Sequence, residues 1–409
     1  MGLLFYTALR NVWRRKFRSM ATASSVAAGC WCALLAIGYS DWITGYLMGT
    51  ASRLGPGHMT ISHSHFLEPI LSIKSISSSG LDHLRTPGVT FAPRIQGESY
   101  INTASRNTGA GYQAIDPKKE HESFNVFISS IKQGRNISSN KNEVLIGQVM
   151  ATKLDMQLGD EIIFTTTNKQ GSTHAIAQKI VGIFETGDKR ADAFGLVMSI
   201  EDARRELNFG PAEASYIAVF INDFNKIEET FTYFTSRIKP PHTLYHWNQT
   251  MPELTNFLLG DRIRIFIMVS FIVLLSSSGI YTCMVMNITE RRRELGTMIA
   301  VGALPRNLVM MVTTEAALLG GLGIVMGLVF TAPIYYIAST EGIDFTFLTG
   351  NDFSMSLGGV VTKGAMIKTD LSLQSFLMIL AGIFAVSIIA AIPTSYKAAH
   401  TVPADTIRD

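Results

Sequence analysis

The chain has 409 residues, 47% of them hydrophobic and 16% charged, with a formal net charge of +3. Soluble domains carry about 25% charged residues, so the balance points toward a membrane. The small net charge and the lack of a basic, aromatic-interleaved segment exclude nucleic acid as a partner.

From the N-terminus, residues 1–18 read as a short basic amphipathic helix, followed by the first of four long apolar runs. Crossing about 30 Å of hydrocarbon takes roughly 20 helical residues. Residues 19–40, 265–288 and 371–396 meet that length without a charge, and 308–337 does so with one, Glu315. Pro333 near the far end of that run can kink or stop the helix. The expected spans are 19–45, 263–288, 308–338 and 371–396. The first is read as an uncleaved signal anchor, because its apolar core exceeds the 7–15 residues of a cleavable signal. The predicted fold is therefore membrane α-helical, four transmembrane helices, with a large α+β extracytoplasmic domain inserted between helices 1 and 2.

Orientation follows from the basic flanks. Arg10, Arg14, Arg15, Lys16 and Arg18 precede the first span, Arg291, Arg292, Arg293 and Arg306 separate the second and third, and Lys397 and Arg408 follow the fourth. The positive-inside rule places all three flanks, and both termini, in the cytoplasm. Residues 46–262 and the loop 339–370 then lie outside, and 397–409 form a cytoplasmic tail.

Within 46–262 the pattern turns to short alternating runs broken by Gly, Pro, Ser and Asn. Strands are expected at 58–64, 143–146, 161–167 and 177–184, and helices at 147–154, 199–207 and 223–238. Ser199 is the expected cap of the second helix, with Asp202 three residues on. The third lies between strand-like 215–221 and 242–246, a β-α-β order. A lobe of 48–118 plus 213–250, with a β-rich insertion at 119–212, fits this sequence. The three cysteines, Cys30, Cys32 and Cys283, lie in apolar runs, so this domain has neither disulfides nor cysteine metal sites. Residues 252–264 read as an amphipathic helix entering the second span, a lever if the two are continuous.

Residues 289–307 hold the most informative pattern: Glu290-Arg-Arg-Arg-Glu294-Leu-Gly296, then Met298, Ala300, Gly302 and Ala303. Basic residues there would set topology on their own. The Glu–Gly–Ala–Gly framework adds a short surface helix whose small residues suit packing on a partner. This framework, in this topology, resembles the FtsX/MacB-type family of ABC permeases. Residues 8–18 resemble that family's elbow helix, and Ser395-Tyr396-Lys397-Ala398-Ala399 with Pro403, Ala404 and Asp405 resemble its C-terminal signature. Within it, Gly111–Asp116 and the loop containing Gly342, Ile343 and Asp344 are similar to LolC/LolE-type lipoprotein-releasing permeases.

The resemblance implies a permease subunit in the bacterial inner membrane, its large domain periplasmic, working by mechanotransmission to release lipoproteins toward the outer membrane. It implies that Glu290, Arg291, Arg293, Glu294, Gly296, Met298, Gly302 and Ala303 form the coupling element on a separate ABC ATPase dimer. This sequence contains no Gly-x-x-x-x-Gly-Lys-Ser/Thr cradle, so ATP and Mg are expected on that partner, with no cofactor and no catalytic site on this chain. The other implied partners are a second permease subunit, the same or related, membrane lipids, and a periplasmic chaperone or adaptor. Efflux, lipid export or control of a cell-wall hydrolase is the alternative within the same fold. A ligand sensor is the alternative outside it, and the coupling framework argues against that reading.

The central turns of the spans hold no ionisable residue, so a polar pore is not expected. Glu315 lies toward the inner end, where it is expected to pair rather than relay protons. A lipid-anchored cargo entering between spans one and two fits, with Trp31, Phe266 and Leu274 as candidate lining. His58, His63 and His65 lack an acid or Cys at ligand spacing, so no metal site is assigned. Gly320, Gly321, Gly323 and Gly327 lie inside span three and read as helix packing rather than a nucleotide loop.

Overall fold

The structure, a computed structural model, describes all residues except 1, 15, 68–74, 80, 82, 83, 85, 104, 105, 121, 140, 223–225, 345–353, 358, 359, 364, 365 and 400–409. The expected signature residues Pro403, Ala404 and Asp405, and Arg408, lie outside the described residues. So does part of the loop 339–370.

The chain opens with α1 (Gly2–Arg14) and α2 (Lys16–Leu54). Then come β1 (Met59–His63), β2 (Ile76–Ser77), β3 (Val89–Asn102) and β4 (Asn107–Ile115). Next are α3 (Val126–Ser129), β5 (Ile131–Gly134), β6 (Glu143–Gly147), α4 (Gln148–Leu154), β7 (Glu161–Thr167) and β8 (Thr173–Phe184). α5 (Lys189–Phe194), β9 (Gly195–Ser199), α6 (Ile200–Glu206), β10 (Glu213–Ala214) and β11 (Tyr216–Ile221) follow. After α7 (Ile227–Thr235), β12 (His242–His246) and α8 (Trp247–Thr250) comes the long α9 (Pro252–Glu290). The last part holds α10 (Arg292–Ala300), α11 (Pro305–Thr340), four short strands β13 (Ile343–Asp344), β14 (Ser354–Leu357), β15 (Val360–Lys363) and β16 (Met366–Ile367), and α12 (Leu373–Ala399). Two compact units result, Met1–Thr44 with Leu259–Leu348 and Met366–Asp409, and Gly45–Leu258 with Thr349–Ala365.

Among the described residues of the helical unit, four helices are long and apolar enough to cross a membrane: α2, α9, α11 and α12. Their common core includes Cys30 and Leu34 of α2, Met284 of α9, Val312 and Leu319 of α11, and Ile383 of α12. Glycine makes the close approaches possible. A Cβ at Gly29 of α2 would overlap Ser276 of α9, one at Gly323 would meet Val26, one at Gly327 would meet Cys30, and one at Gly320 would meet Ser387 of α12. Helices in lipid gain no hydrophobic drive from meeting, so small residues that let backbones approach supply the attraction through dispersion. Gly321 differs, because a Cβ there would have open space. Pro333 does not stop α11, which runs on to Thr340.

The second unit is built on one exceptional strand. The first half of β3 pairs with β11 (Val89 to Arg94), and its second half pairs with β4 (Ile95 to Asn102). On one side lies a four-stranded sheet in the order β12-β1-β11-β3, all neighbours antiparallel. β1 is inserted between β11 and β12, which flank α7, and Phe234 and Ile227 of α7 pack on Ile61 and Val219. On the other side β3-β4-β9-β6-β8-β7 close back on β3 as a six-stranded ring, with β5 added to β8. The ring interior is filled by alternate inward residues such as Ile95, Tyr112, Ile146, Phe164, Ile180 and Met198. The ring draws on 95–115 as well as on 131–199, so β4 joins the strands of the expected insertion and the two lobes share β3. Ser199 does precede α6 in extended conformation, but its side chain makes no cap bond. Asp202 accepts instead from the Asn142 N–H (3.2 Å) and from Arg205 (2.9 Å), because α6 is turned to bury it against the start of β6.

A buried ion pair stands where the ring meets the sheet. Arg94, at the changeover of β3, is fully buried and bonds both Glu120 oxygens at 2.8 and 2.7 Å. It also donates to the Phe124 carbonyl and to the Gly55 carbonyl just past α2. Asn125 adds a bond to Glu120 at 2.8 Å and caps α3, while Gln113 donates to the Leu54 carbonyl at 3.2 Å. Orphan carbonyls at the end of α2 are thereby satisfied inside the domain. Removing one partner of such a pair strands the other charge. Arg94→Ala is expected to lower stability by about 3–5 kcal/mol, read as a lower urea midpoint for proteolysis of residues 45–258 in the whole chain, whereas Arg94→Met with Glu120→Met should recover most of the loss.

Candidate coupling site

α9 ends at Glu290, Arg291 turns the chain, and α10 begins at once. The start of α10 is tied to α9 by Arg291 N–H to Asn287 O (3.2 Å) and Leu295 N–H to Arg291 O (2.9 Å). Its buried side is small: Leu295, with Ile299 and Ala303 partly covered, packs on Leu308 and Met311 of α11. Gly296 is buried, while Arg292, Arg293 and Ala300 are exposed.

The C-terminal turn of α10 explains Gly302. Its N–H bonds Ile299 O at 2.9 Å, and Ala303 N–H bonds Met298 O at 2.9 Å, the paired closure of a Schellman turn. That turn needs a left-handed residue, and Gly302 has φ +99°. Leu304 then caps α11 in extended conformation with Pro305 in its first turn. Met298, Val301 and Leu304 are left 41%, 89% and 65% exposed, so an apolar edge of the turn faces outward.

Charge holds the other side. Arg18 of α2 makes a two-pronged bond to Glu290 (2.7 and 3.0 Å) and a third to Asn287 (3.3 Å). Arg291 bonds Glu294 at 2.9 Å and Glu315 of α11 at 3.0 Å, and Asn11 of α1 donates to the same Glu315 oxygen at 2.6 Å. Burial alone would lower the Arg291 pKa, but the bonds to Glu294 and Glu315 outweigh it and raise it above its ordinary value. These contacts are unequal. Arg14–Glu294 spans 4.0 Å with side chains 75% and 51% exposed, so it is worth close to nothing. Arg291–Glu315 is 16% and 5% exposed, so losing one partner there costs about 3–5 kcal/mol. Asn11, Arg14, Ser19, Asn287, Arg291 and Glu315 line a cavity of about 50 Å³, where α1, α2, α9, α10 and α11 converge.

Of the residues predicted from sequence, Arg291 pairs with Glu294 and Glu290 with Arg18 at the start of α10, Gly302 and Ala303 close its far turn, Met298 stands on the exposed edge of that turn, and Gly296 lies in the buried side of α10. Arg293 points outward. Trp31 is half-buried on α2, and its indole N–H is enclosed without a hydrogen-bond partner among the described residues. Phe266 and Leu274 are 74% and 65% exposed on α9. Only 6% of the most apolar stretch of α9 is buried, against 44% for α2.

Three polar residues that the sequence does not single out also tie these helices together: Asn11, Arg18 as the partner of Glu290, and Asp261. Asp261 is buried on α9, accepts from Ser40 of α2 at 3.0 Å and pairs with Arg264. Polarity on an otherwise buried helix face was the available signal. The histidines do not converge: His58 Nδ1 accepts from the Ile221 N–H at 2.9 Å and burial pushes its pKa down to about 4, while His63 and His65 stack with centroids 5.5 Å apart. No group of three candidate metal ligands occurs among the described residues.

A side chain at Gly302 would be forced into a backbone conformation costing about 1–2 kcal/mol, so Gly302→Ala should loosen the turn and speed trypsin cleavage after exposed Arg306 by about tenfold.

Comparison with known proteins covers both parts of the chain. Residues 19–234 match the family model for the MacB-like periplasmic core domain, and residues 266–403 match the FtsX-like permease C-terminal model. The lipoprotein-releasing system transmembrane protein LolC of Xylella fastidiosa strain Temecula1 is 21% identical over all of this chain and 98% of its own length. The ABC transporter permease YtrF of Bacillus subtilis is 29% identical over 30% of this chain and 28% of its own. The crystal structure of the periplasmic region of MacB from Actinobacillus actinomycetemcomitans covers 50% of this chain and 94% of its own, at 14% identity and a TM-score of 0.34. With four membrane-length helices, an α+β domain and both family models matched in order, the chain belongs to the FtsX/MacB family of ABC transporter permeases.

Proposed function

We propose that this chain is the permease subunit of an inner-membrane machine that releases lipoproteins toward the outer membrane by mechanotransmission. One observation carries the reading: α9 runs unbroken for 39 residues from Pro252, where the α+β domain ends, to Glu290, where the coupling turn begins. Mechanotransmission along α9 is the role proposed for this continuity. In the proposed orientation both termini and α10 are cytoplasmic and the α+β domain is periplasmic.

The apolar edge of Met298, Val301 and Leu304, with exposed Arg292 and Arg293 beside it, is the surface offered to a separate ATPase, which would hold ATP and Mg. Glu290, Arg291, Glu294, Gly296, Gly302 and Ala303 hold that surface in place. The nearly bare face of α9, with Phe266 and Leu274, and Trp31 on α2 are the surfaces offered to acyl chains and to a second permease subunit. Acyl burial is worth roughly 0.8 kcal/mol per CH₂, so a triply acylated cargo leaves the bilayer only when work is done on it. The lipoprotein-releasing relatives of similar length favour this cargo over efflux.

Affinity purification of the tagged chain from mild detergent, with mass spectrometry of what is retained, tests the reading. The expected set is an ABC ATPase, a permease subunit and acylated lipoproteins. An ATPase with an efflux adaptor or hydrolase activator in place of lipoproteins would move the function to the alternative within this family, and no ATPase would refute the coupling role.

A further inference from the structure

We infer that Glu315 is the positioning residue of the coupling turn, an ionic latch that sets where α10 sits and so how much of the ATPase's work reaches the rest of the chain. The inference rests on the coupling reading above and assigns a role to a residue outside the 289–307 segment.

Glu315 lies about 15 Å along α11 from Pro305, at about 1.5 Å per residue, among Val312, Ala316 and Leu319. A carboxylate at that depth must be paired, and the chain supplies two donors from elements far apart in sequence. Asn11 brings α1 and Arg291 brings the start of α10, both to the same Glu315 oxygen. Arg291 in turn holds Glu294 one turn into α10. One side chain of α11 therefore fixes α1 and α10 together.

The apolar grip on α10 is slight by comparison, since only Leu295 and Gly296 are buried along its nine residues. Among the described residues, the Arg14–Glu294 and Arg18–Glu290 contacts on α10 and the end of α9 are more exposed than the Glu315 pair. A short helix with so little buried surface depends on its best-shielded polar contact for its position. The cavity beside Glu315 gives the contact room to rearrange, because about 50 Å³ exceeds the space one water occupies.

Glu315→Gln, Arg291→Gln and the double variant test this in the whole detergent-solubilised chain by hydrogen exchange, with no ATPase present. Each single change should raise exchange about tenfold in 2–14 and 292–300, leaving the centres of α2, α9, α11 and α12 and the β-ring unchanged. The double variant should exchange no faster than the worse single. In the assembled complex, Glu315→Gln should retain the ATPase and lower cargo release per ATP by about tenfold. No local rise, a rise through all four long helices, additive effects, or native release per ATP would each overturn the assignment. If the native chain retains no ATPase, the coupling reading fails by itself, while the exchange pattern still decides whether Glu315 holds α10.

Discussion

A charge taken out of water must find a partner, and in this chain a well-shielded arginine meets that requirement just beyond α2 and just beyond α9. Arg94 holds Glu120 and reaches the carbonyl just beyond α2, and Arg291 holds Glu315 directly after α9. The carbonyl end of a helix carries partial negative charge, so a cation there is favoured twice, by the helix and by its carboxylate. Each arrangement is bidentate or multiply bonded, which fixes direction as well as distance. Exposed ion pairs would hold these ends far less firmly, since water and salt screen them.

Between those ends the helices are held by fit. Gly29, Gly320, Gly323 and Gly327 let α2, α9, α11 and α12 approach where side chains would collide. α9 is the least covered of the four, meeting α2 at Ser276 and Asp261 and the shared core through Ile280 and Met284, with 6% of its most apolar stretch buried.

Much of this was legible in the sequence because the signals were local. Alternation gave β7 at 161–167 and β12 at 242–246 to the residue, and length with apolarity gave the four long helices. The ring was not legible, because closure depends on β7 pairing with both β3 and β8, contacts set by long-range register. Nor was the division of β3 at Arg94, since a 14-residue strand shared by two lobes looks no different from two shorter ones. At the coupling turn, Gly302 was readable from its place after a helix, but the hub was not. Asn11 and Glu315 are 304 residues apart, and only the fold brings them within 2.6 Å.

The proposed mechanotransmission requires α9 to carry movement along its length. Leu259 is 54% exposed, so proline there removes a backbone bond within the helix while disturbing little packing. The decisive measurement is ATP hydrolysis and lipoprotein release by the purified complex carrying Leu259→Pro, with Leu259→Ala as control. Continued hydrolysis with release reduced at least about tenfold is the predicted result. Release that keeps its native ratio to hydrolysis would contradict transmission through α9.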